Sequence, residues 1–186
     1  VLRIDSPGGT VTDADAIWLA LKSLVQRKPL AISMGNIAAS GGYYIAAPGQ
    51  KIFASPSTLT GSIGVFAGKV DLSGLLEDLG INVYRQGRGN IVSKTLFTPW
   101  SAQARKTLIK ELDHIYELFL SRITDTRPTL TKEVLLPLAG GRVWTGDEAQ
   151  NNGLVDTKGG LIDAIKWVSV EANLAHKAHS VTSVFP

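Results

Sequence analysis

Apolar and polar positions follow two rhythms along this chain, and the switches between them mark its elements. Val1-Leu2-Arg3-Ile4 is a short apolar run closed by Ser6-Pro7-Gly8-Gly9, which predicts a strand followed by a tight turn. Ala14, Ile17, Trp18, Leu21 and Leu24 then recur at helical spacing, predicting a helix capped by Thr12 or Asp13 and ended by Pro29. Leu30–Met34 predicts a second strand. Gly35-Asn36-Ile37-Ala38-Ala39 turns into a third element starting at Ser40, where small residues followed by Tyr43, Tyr44 and Ile45 predict a buried helix. Lys51–Ala54 is the next strand, and Thr60-Gly61-Ser62-Ile63-Gly64-Val65 is a glycine-rich loop leading into more strand.

The second half repeats the alternation with longer helices. A helix is expected over about Leu72 to Leu79, a strand over Asn82–Arg85 and a polar loop from Gln86 to Pro99. Ser101 caps the longest helix, whose Leu108, Leu112, Ile115, Phe119 and Ile123 share one face while Lys110, His114 and Glu117 form a solvated one. A shorter helix starts at Thr131. Gly159-Gly160 precedes a last helix carrying Leu161, Ile165 and Val168. Alternating strands and helices of this kind predict an α/β fold, βα repeats around a largely parallel sheet. No internal repeat is visible. Residues 1–174 read as one domain and 175–186, which show no period, as a tail or linker.

Composition narrows the function classes. The net charge of +3 is mild and interspersed, with no basic stripe interleaved with aromatics, which argues against nucleic acid as a partner. The absence of cysteine excludes disulfides, thiol catalysis and cysteine-ligated metals. His114, His176 and His179 are the only histidines, so no metal site and no cofactor are expected. No run approaches the ~20 apolar residues that span a bilayer. The chain opens inside a strand without a methionine, so a longer protein is expected to precede Val1.

Two segments carry candidate chemistry. In Ala38-Ala39-Ser40-Gly41-Gly42-Tyr43 small residues flank a serine at a strand-to-helix turn, where a nucleophile meets the positive field of a helix start. The same residues also serve as a plain tight turn. In Asp5-Ser6-Pro7-Gly8-Gly9 two glycines after a proline expose backbone N–H groups, as an oxyanion hole requires. That segment also reads as a capped turn before the first helix.

Together, and in this order, the two segments resemble the ClpP/crotonase superfamily. Leu59-Thr60-Gly61-Ser62-Ile63-Gly64-Val65, Gly141-Arg142-Val143-Trp144-Thr145-Gly146, Ala149 and Gly153-Leu154-Val155-Asp156 make the chain similar to the signal peptide peptidase A (protease IV) family in particular, over about residues 1 to 174. The resemblance implies a ClpP/crotonase-like fold and a serine endopeptidase with a Ser–Lys dyad. It puts Ser40 on the nucleophile, Gly8 and Gly9 on the oxyanion-hole glycines, and Ser62 on a serine that holds the lysine. A lysine serves as base near neutral pH only when burial lowers its pKa well below ~10.4. No histidine lies between Ser40 and His114 to serve a Ser-His-Asp triad instead.

The family's shorter form carries the lysine about fifty residues after the serine, where this chain has Val92, with Lys94 two residues on. In the longer, duplicated form the lysine belongs to the preceding half, and this chain resembles the serine-bearing half. A lysine outside the chain is therefore favoured over Lys94, and Lys69 is a poor third. The resemblance further implies peptide substrates such as remnant signal peptides, a ring-like homo-oligomer, and anchoring in the bacterial cytoplasmic membrane, facing outward, through a segment outside this chain.

Tyr43, Tyr44 and Phe66 could line a substrate groove, although packing is the favoured reading for aromatics beside small residues. Thr145 is expected to cap the turn carrying Asp147 and Glu148, and Asp5 and Asp13 could pair with arginines. Two rival readings share the fold: a non-catalytic half that binds peptide or builds the ring, and a crotonase-like acyl-CoA enzyme that would not need Ser40.

Overall fold

The computed structural model describes residues 1–84 and 96–174. They fall into two compact units, one of residues 1–64 with 118–174, the other of 65–84 with 96–117.

The first unit holds a six-stranded sheet built around one long strand. Strand β1 (Leu2–Ser6) leads into helix α1 (Val11–Val25), and β2 (Ala31–Ala39) runs on without a break into helix α2 (Gly41–Ala46) through Ser40. β3 (Lys51–Ala54) and β4 (Leu59–Gly61) follow. Later come α5 (Lys132–Leu135) with a 3₁₀ turn at Leu136–Leu138, β5 (Val143–Thr145), α6 (Gly146–Asn151), β6 (Thr157–Lys158) and α7 (Leu161–Glu171). Every strand pair is parallel except β4–β5, so the α/β fold with a largely parallel sheet is as expected.

β2 extends five residues past the expected end at Met34. Gly35-Asn36 reads as a turn in sequence, but here the strand changes partners rather than direction. On the edge opposite β1, Ala31–Ser33 pair with β3 and Ile37–Ala39 pair with β4. Between the two partners the Thr58 hydroxyl donates to the Gly35 carbonyl at 2.7 Å, and the Thr60 hydroxyl donates to the Ala38 carbonyl at 2.7 Å. Both threonines are buried, so these bonds give their hydroxyls the partner that burial would otherwise deny them.

The opposite edge has its own irregularity. Ile4 pairs with Met34 but Ser6 pairs with Ala38, a register shift centred on Asp5. The Asp5 carboxylate accepts the Ile37 N–H at 3.1 Å, and it lies so close over Gly35 that a Cβ there would sit 2.5 Å from its Cγ.

Thr10, not Thr12 or Asp13, caps α1: its side chain accepts the Asp13 N–H, while Asp13 returns a carboxylate to the Thr10 hydroxyl. Ala14 and Trp18 are the helix's buried residues, and Ile17 is 44% exposed, so the buried stripe is narrower than the apolar spacing implies. Trp18 lies under two cations, Lys22 at 4.6 Å and Arg122 at 4.3 Å from its ring centre. Thr145 caps α6 as expected, in a reciprocal box with Glu148.

Helix α4 (Ala102–Thr124) begins with Ser101 accepting the Ala104 N–H at 3.1 Å and brings buried Phe119, Leu120 and Ile123 into the first unit at its end. In the second unit α3 (Ser73–Asp78) matches the expected helix, and Asp71 accepts the N–H of Ser73. Residues 82–84 form no strand, contrary to the expectation for Asn82–Arg85, whose last residue lies outside the described ones. They sit among exposed apolar side chains, Ile81, Val83 and Tyr84, so no buried face selects the extended pairing that β propensity suggests. The expected strand after Gly64 is likewise irregular backbone. The tail at 175–186 lies outside the described residues.

Candidate active site

The parallel pairing of β2 with β4 ends at Ala39 opposite Gly61. The next residue on each strand is a serine, so Ser40 and Ser62 leave the sheet side by side. The Ser40 N–H continues the ladder by donating to the Gly61 carbonyl at 2.9 Å. Both serines have positive φ, 51° for Ser40 and 49° for Ser62. Such a backbone costs a residue with a Cβ about 1–3 kcal/mol and persists only when its surroundings hold it. Ser40, at ψ −118°, is held on one side by Gly61 and on the other by Tyr44, whose N–H donates to the Ser40 carbonyl at 2.9 Å. Ser62 is held by the Arg142 carbonyl, which accepts its N–H at 2.7 Å. Beneath it Gly61 has no room for a side chain: a Cβ there would meet Trp144 at 2.7 Å.

Ser40 is the N-cap residue of α2 without using its hydroxyl as a cap. The side chain is thus not committed to the helix it precedes, and it is partly exposed. α2 can lie close to the end of β1 because Gly42 has no side chain; a Cβ there would reach the Ser6 carbonyl at 2.7 Å.

The glycine turn after β1 comes to the same place. Gly8 has φ +114°, and a Cβ on it would lie 2.9 Å from the Ser40 Cβ, 2.9 Å from the Gly41 nitrogen and 3.1 Å from the Ala39 carbonyl. Its N–H is already given to the Ser6 hydroxyl at 3.2 Å. Gly9 faces open space at its own Cβ position, but its nitrogen lies 3.0 Å from where a Cβ of Gly41 would stand. The two glycine segments therefore interlock. Gly8 is needed for close approach, and the backbone nitrogens of Gly9 and Gly41 come together at the serine turn.

The other residues singled out in sequence are placed differently. Tyr43 is fully buried and donates its hydroxyl to the Leu154 carbonyl at 2.9 Å. Burial pushes its phenol far above the usual range, although the nearby Arg127 charge pulls it back. Tyr44, also buried, donates to Asp15 at 2.7 Å and packs on Phe119 at 4.7 Å between ring centres. Burial and the Asp15 bond push its phenol up to about 12. Both tyrosines belong to the packing beneath α2, in place of the groove considered for them. Phe66 lies in the second unit with its side chain 94% exposed. Lys69, in that unit too, donates to the Thr98 carbonyl and stands over Trp100 at 5.6 Å. Lys94 lies outside the described residues.

Sequence reasoning missed two ion pairs that support this region. Arg122 meets Asp15 at 2.8 Å, and burial of that carboxyl is outweighed by bonds from Arg122 and Tyr44 that hold it below the usual carboxylate range. Arg127 meets Asp156 at 2.6 Å and is itself 7% exposed; burial lowers its basicity but the Asp156 bond more than restores it. The partners are more than twenty residues apart in both pairs, so no local spacing announces them. Asp5 and Asp13 make the backbone and hydroxyl contacts already described, in place of the arginine pairs considered for them. Among the described residues no group of three or more acidic residues and histidines is arranged to hold a metal, and no helix is long and apolar enough to cross a membrane.

A largely parallel sheet that delivers a strained serine into a helix start is the architecture of an α/β protein with a nucleophile-like turn. The model of Peptidase family S49 matches residues 22–175, and the chain belongs to that family. It is 37% identical over 176 residues to the chloroplastic serine protease SPPA of Arabidopsis thaliana, covering 94% of this chain and 26% of that protein. It is 36% identical over 175 residues to protease 4 of Salmonella typhi, covering 94% of this chain and 28% of that one. With a putative signal peptide peptidase SppA of Enterococcus faecium it shares 34% over 177 residues, 94% of this chain and 51% of the relative. The chain thus spans about a quarter to a half of the length of these relatives.

Solved structures give looser likenesses. An enoyl-CoA hydratase/carnithine racemase from Magnetospirillum magneticum has TM-score 0.44 at 12% identity, covering 94% of this chain and 54% of that one. A putative enoyl-CoA hydratase/isomerase family protein from Hyphomonas neptunium has TM-score 0.40 at 17% identity, covering 87% and 42%.

Proposed function

We propose that this chain is the serine-bearing part of a serine endopeptidase, with Ser40 as nucleophile. The observation that carries the reading is the strained turn at Ser40: its hydroxyl is left out of the helix cap, and the turn is interlocked with Gly8 and Gly9. In the proposed reaction the Ser40 Oγ attacks a peptide carbonyl carbon while a base takes its proton. The N–H groups of Gly9 and Gly41 then receive the oxygen that becomes negative, in place of the Gly8–Gly9 pair that the resemblance implies, because the Gly8 N–H is given to the Ser6 hydroxyl; Gly8 contributes by its lack of a side chain. Collapse of the tetrahedral intermediate returns the proton to the leaving amine and leaves an acyl-serine, which water hydrolyses.

The base is a lysine of a Ser–Lys dyad, supplied from outside this chain in preference to Lys94. Ser62 orients that amine, a role supported by the tie of its turn to that of Ser40 through Gly61. Substrates are extended or membrane-associated peptides such as remnant signal peptides. The working form is a ring-like homo-oligomer, held at the bacterial cytoplasmic membrane by a segment outside this chain.

The test is labelling of the full-length protein with a fluorophosphonate probe, followed by peptide mapping. Modification at Ser40 that Ser40→Ala abolishes is the expected result. An unlabelled Ser40 in folded, full-length protein overturns the assignment and favours the acyl-CoA or non-catalytic reading.

A further inference from the structure

We infer that Asp5 is a positioning residue for the proposed Ser40 chemistry, acting through the Ser6-Pro7-Gly8-Gly9 turn; the inference rests on the peptidase reading and extends it to a residue outside the nucleophile and its N–H donors. β1 keeps register with β2 up to Ile4–Met34 and resumes it at Ser6–Ala38. Between these pairs β2 spends two more residues than β1, and the strands cannot bond residue to residue. Asp5 spans this gap. Its Oδ1 accepts the Ile37 N–H at 3.1 Å, replacing a backbone carbonyl that the shifted register takes away. Its Cγ covers Gly35 closely enough that only glycine fits there.

The consequence is geometric. Ser6 begins three residues before Gly9, and its pairing with Ala38 fixes the turn relative to the strand that ends at Ser40. A Cβ on Gly8 would stand 2.9 Å from the Ser40 Cβ, and the Gly9 nitrogen lies 3.0 Å from where a Cβ of Gly41 would stand, so the turn and the serine segment have no slack between them. With the Asp5–Ile37 bond removed, β1 can slide or twist against β2 at the shift, and the Gly9 N–H moves relative to Gly41 and Ser40. A displacement of about 1 Å at such a donor costs on the order of a hundredfold in rate. The bond joins backbone of β2 to a side chain of β1 and uses no atom of Ser40 itself, so the expected effect falls on kcat more than on KM.

The charge of Asp5 is not what the geometry uses; a single carbonyl-type acceptor at Oδ1 suffices. Asp5→Asn therefore keeps the function, and Asp5→Ala loses it. Gly35→Ala displaces the Asp5 side chain without altering it and reproduces the loss by an independent route.

The experiment uses the full-length protein with a peptide substrate, measuring kcat and KM separately together with the rate of Ser40 labelling by a fluorophosphonate. Expected for Asp5→Ala and for Gly35→Ala is a fall of about 10–100-fold in kcat and in labelling rate, with KM changed little. Asp5→Asn is expected to recover most of the wild-type kcat. Should Asp5→Ala fail to fold, Gly35→Ala and Asp5→Asn give the same comparison. Wild-type kcat in either loss variant, a loss confined to KM, or an Asp5→Asn variant as impaired as Asp5→Ala overturns the role of Asp5 while leaving Ser40 as nucleophile. Absence of Ser40-dependent turnover and labelling in the wild type overturns the peptidase reading and this inference with it.

Discussion

Ser40 and Ser62 stand at adjacent strand ends, both with positive φ, and the Ser40 N–H bonds to the carbonyl of Gly61, the residue just before Ser62. The two turns are therefore coupled through one peptide unit, and neither can relax alone. Gly61 is pinned in turn by Trp144, and Ser62 by the Arg142 carbonyl, so the antiparallel strand β5 serves as the outer buttress of the serine pair.

Strain at Ser40 separates two inactivating substitutions. Ser40→Ala keeps a Cβ in the unfavourable conformation, whereas Ser40→Gly releases it. Both are expected to abolish peptide hydrolysis. Ser40→Gly should be more stable than Ser40→Ala by about 1 kcal/mol, the gain from relieved strain being offset in part by a more flexible unfolded chain. Urea denaturation of the two proteins side by side checks this. Equal midpoints would mean that the turn is not strained.

The two glycines of the first turn should behave unequally. Gly8→Ala places a methyl against Ser40, Gly41 and Ala39 at a φ of +114°, and is expected to lower kcat by about a hundredfold or more and to destabilise the fold. Gly9→Ala meets open space and leaves the N–H in place. Its kcat should stay near wild type. Steady-state kinetics of the pair distinguishes a steric role for Gly8 from a donor role; similar damage at both positions would contradict the division of labour proposed for them.

The base can be located by subtraction. Lys94→Ala in the full-length protein is expected to retain much of its activity, and the isolated 186-residue chain to be almost inactive. An isolated chain that cleaves peptides, and stops when Lys94 is removed, places the base within these residues instead.

Acid stability should depend on Asp15. Its folded-state pKa is lowered, so it contributes stability above the unfolded value of ~3.9 that is lost as pH falls through the lower folded value. Asp15→Asn should therefore flatten the acid limb of the stability curve while reducing stability at neutral pH. The size is on the order of 1 kcal/mol, since the pair is partly exposed to solvent. Thermal unfolding between pH 2 and 7 reads the difference, and parallel curves for the two proteins would count against the ion pair.

The elements were legible where the hydrophobic rhythm and the punctuation agree, as for Lys51–Ala54, the start of the long helix at Ser101 and the Thr145 cap. The strand β2 was cut short at Gly35-Asn36 because turn-forming residues dominate there. What keeps it extended is supplied by Asp5, Thr58 and Thr60, and none of these bonds is visible in local spacing. The same reason hid the Asp15–Arg122 pair, which lies across 107 positions of sequence. The segments around Ser40 and Gly8 could be picked out because close backbone approach restricts them to small residues. Which N–H groups are free, however, depends on the Ser6 hydroxyl taking that of Gly8, a contact fixed only in the folded turn.

Tyr43 sits three residues after Ser40, yet its hydroxyl is received by Leu154, 111 positions further along. On a ribosome that distance is time. At ~5–20 residues per second, the serine turn leaves the exit tunnel many seconds before the carbonyl that secures its helix has been synthesised. β3 waits similarly for Asp156, which accepts the Ile52 N–H across 104 positions. A nascent chain therefore carries Ser40 on an unlocked support until Leu154 has been synthesised. The order of synthesis thereby withholds the finished Ser40 turn until the segment carrying Leu154 and Asp156 has emerged, a built-in chronology for whatever chemistry the turn performs.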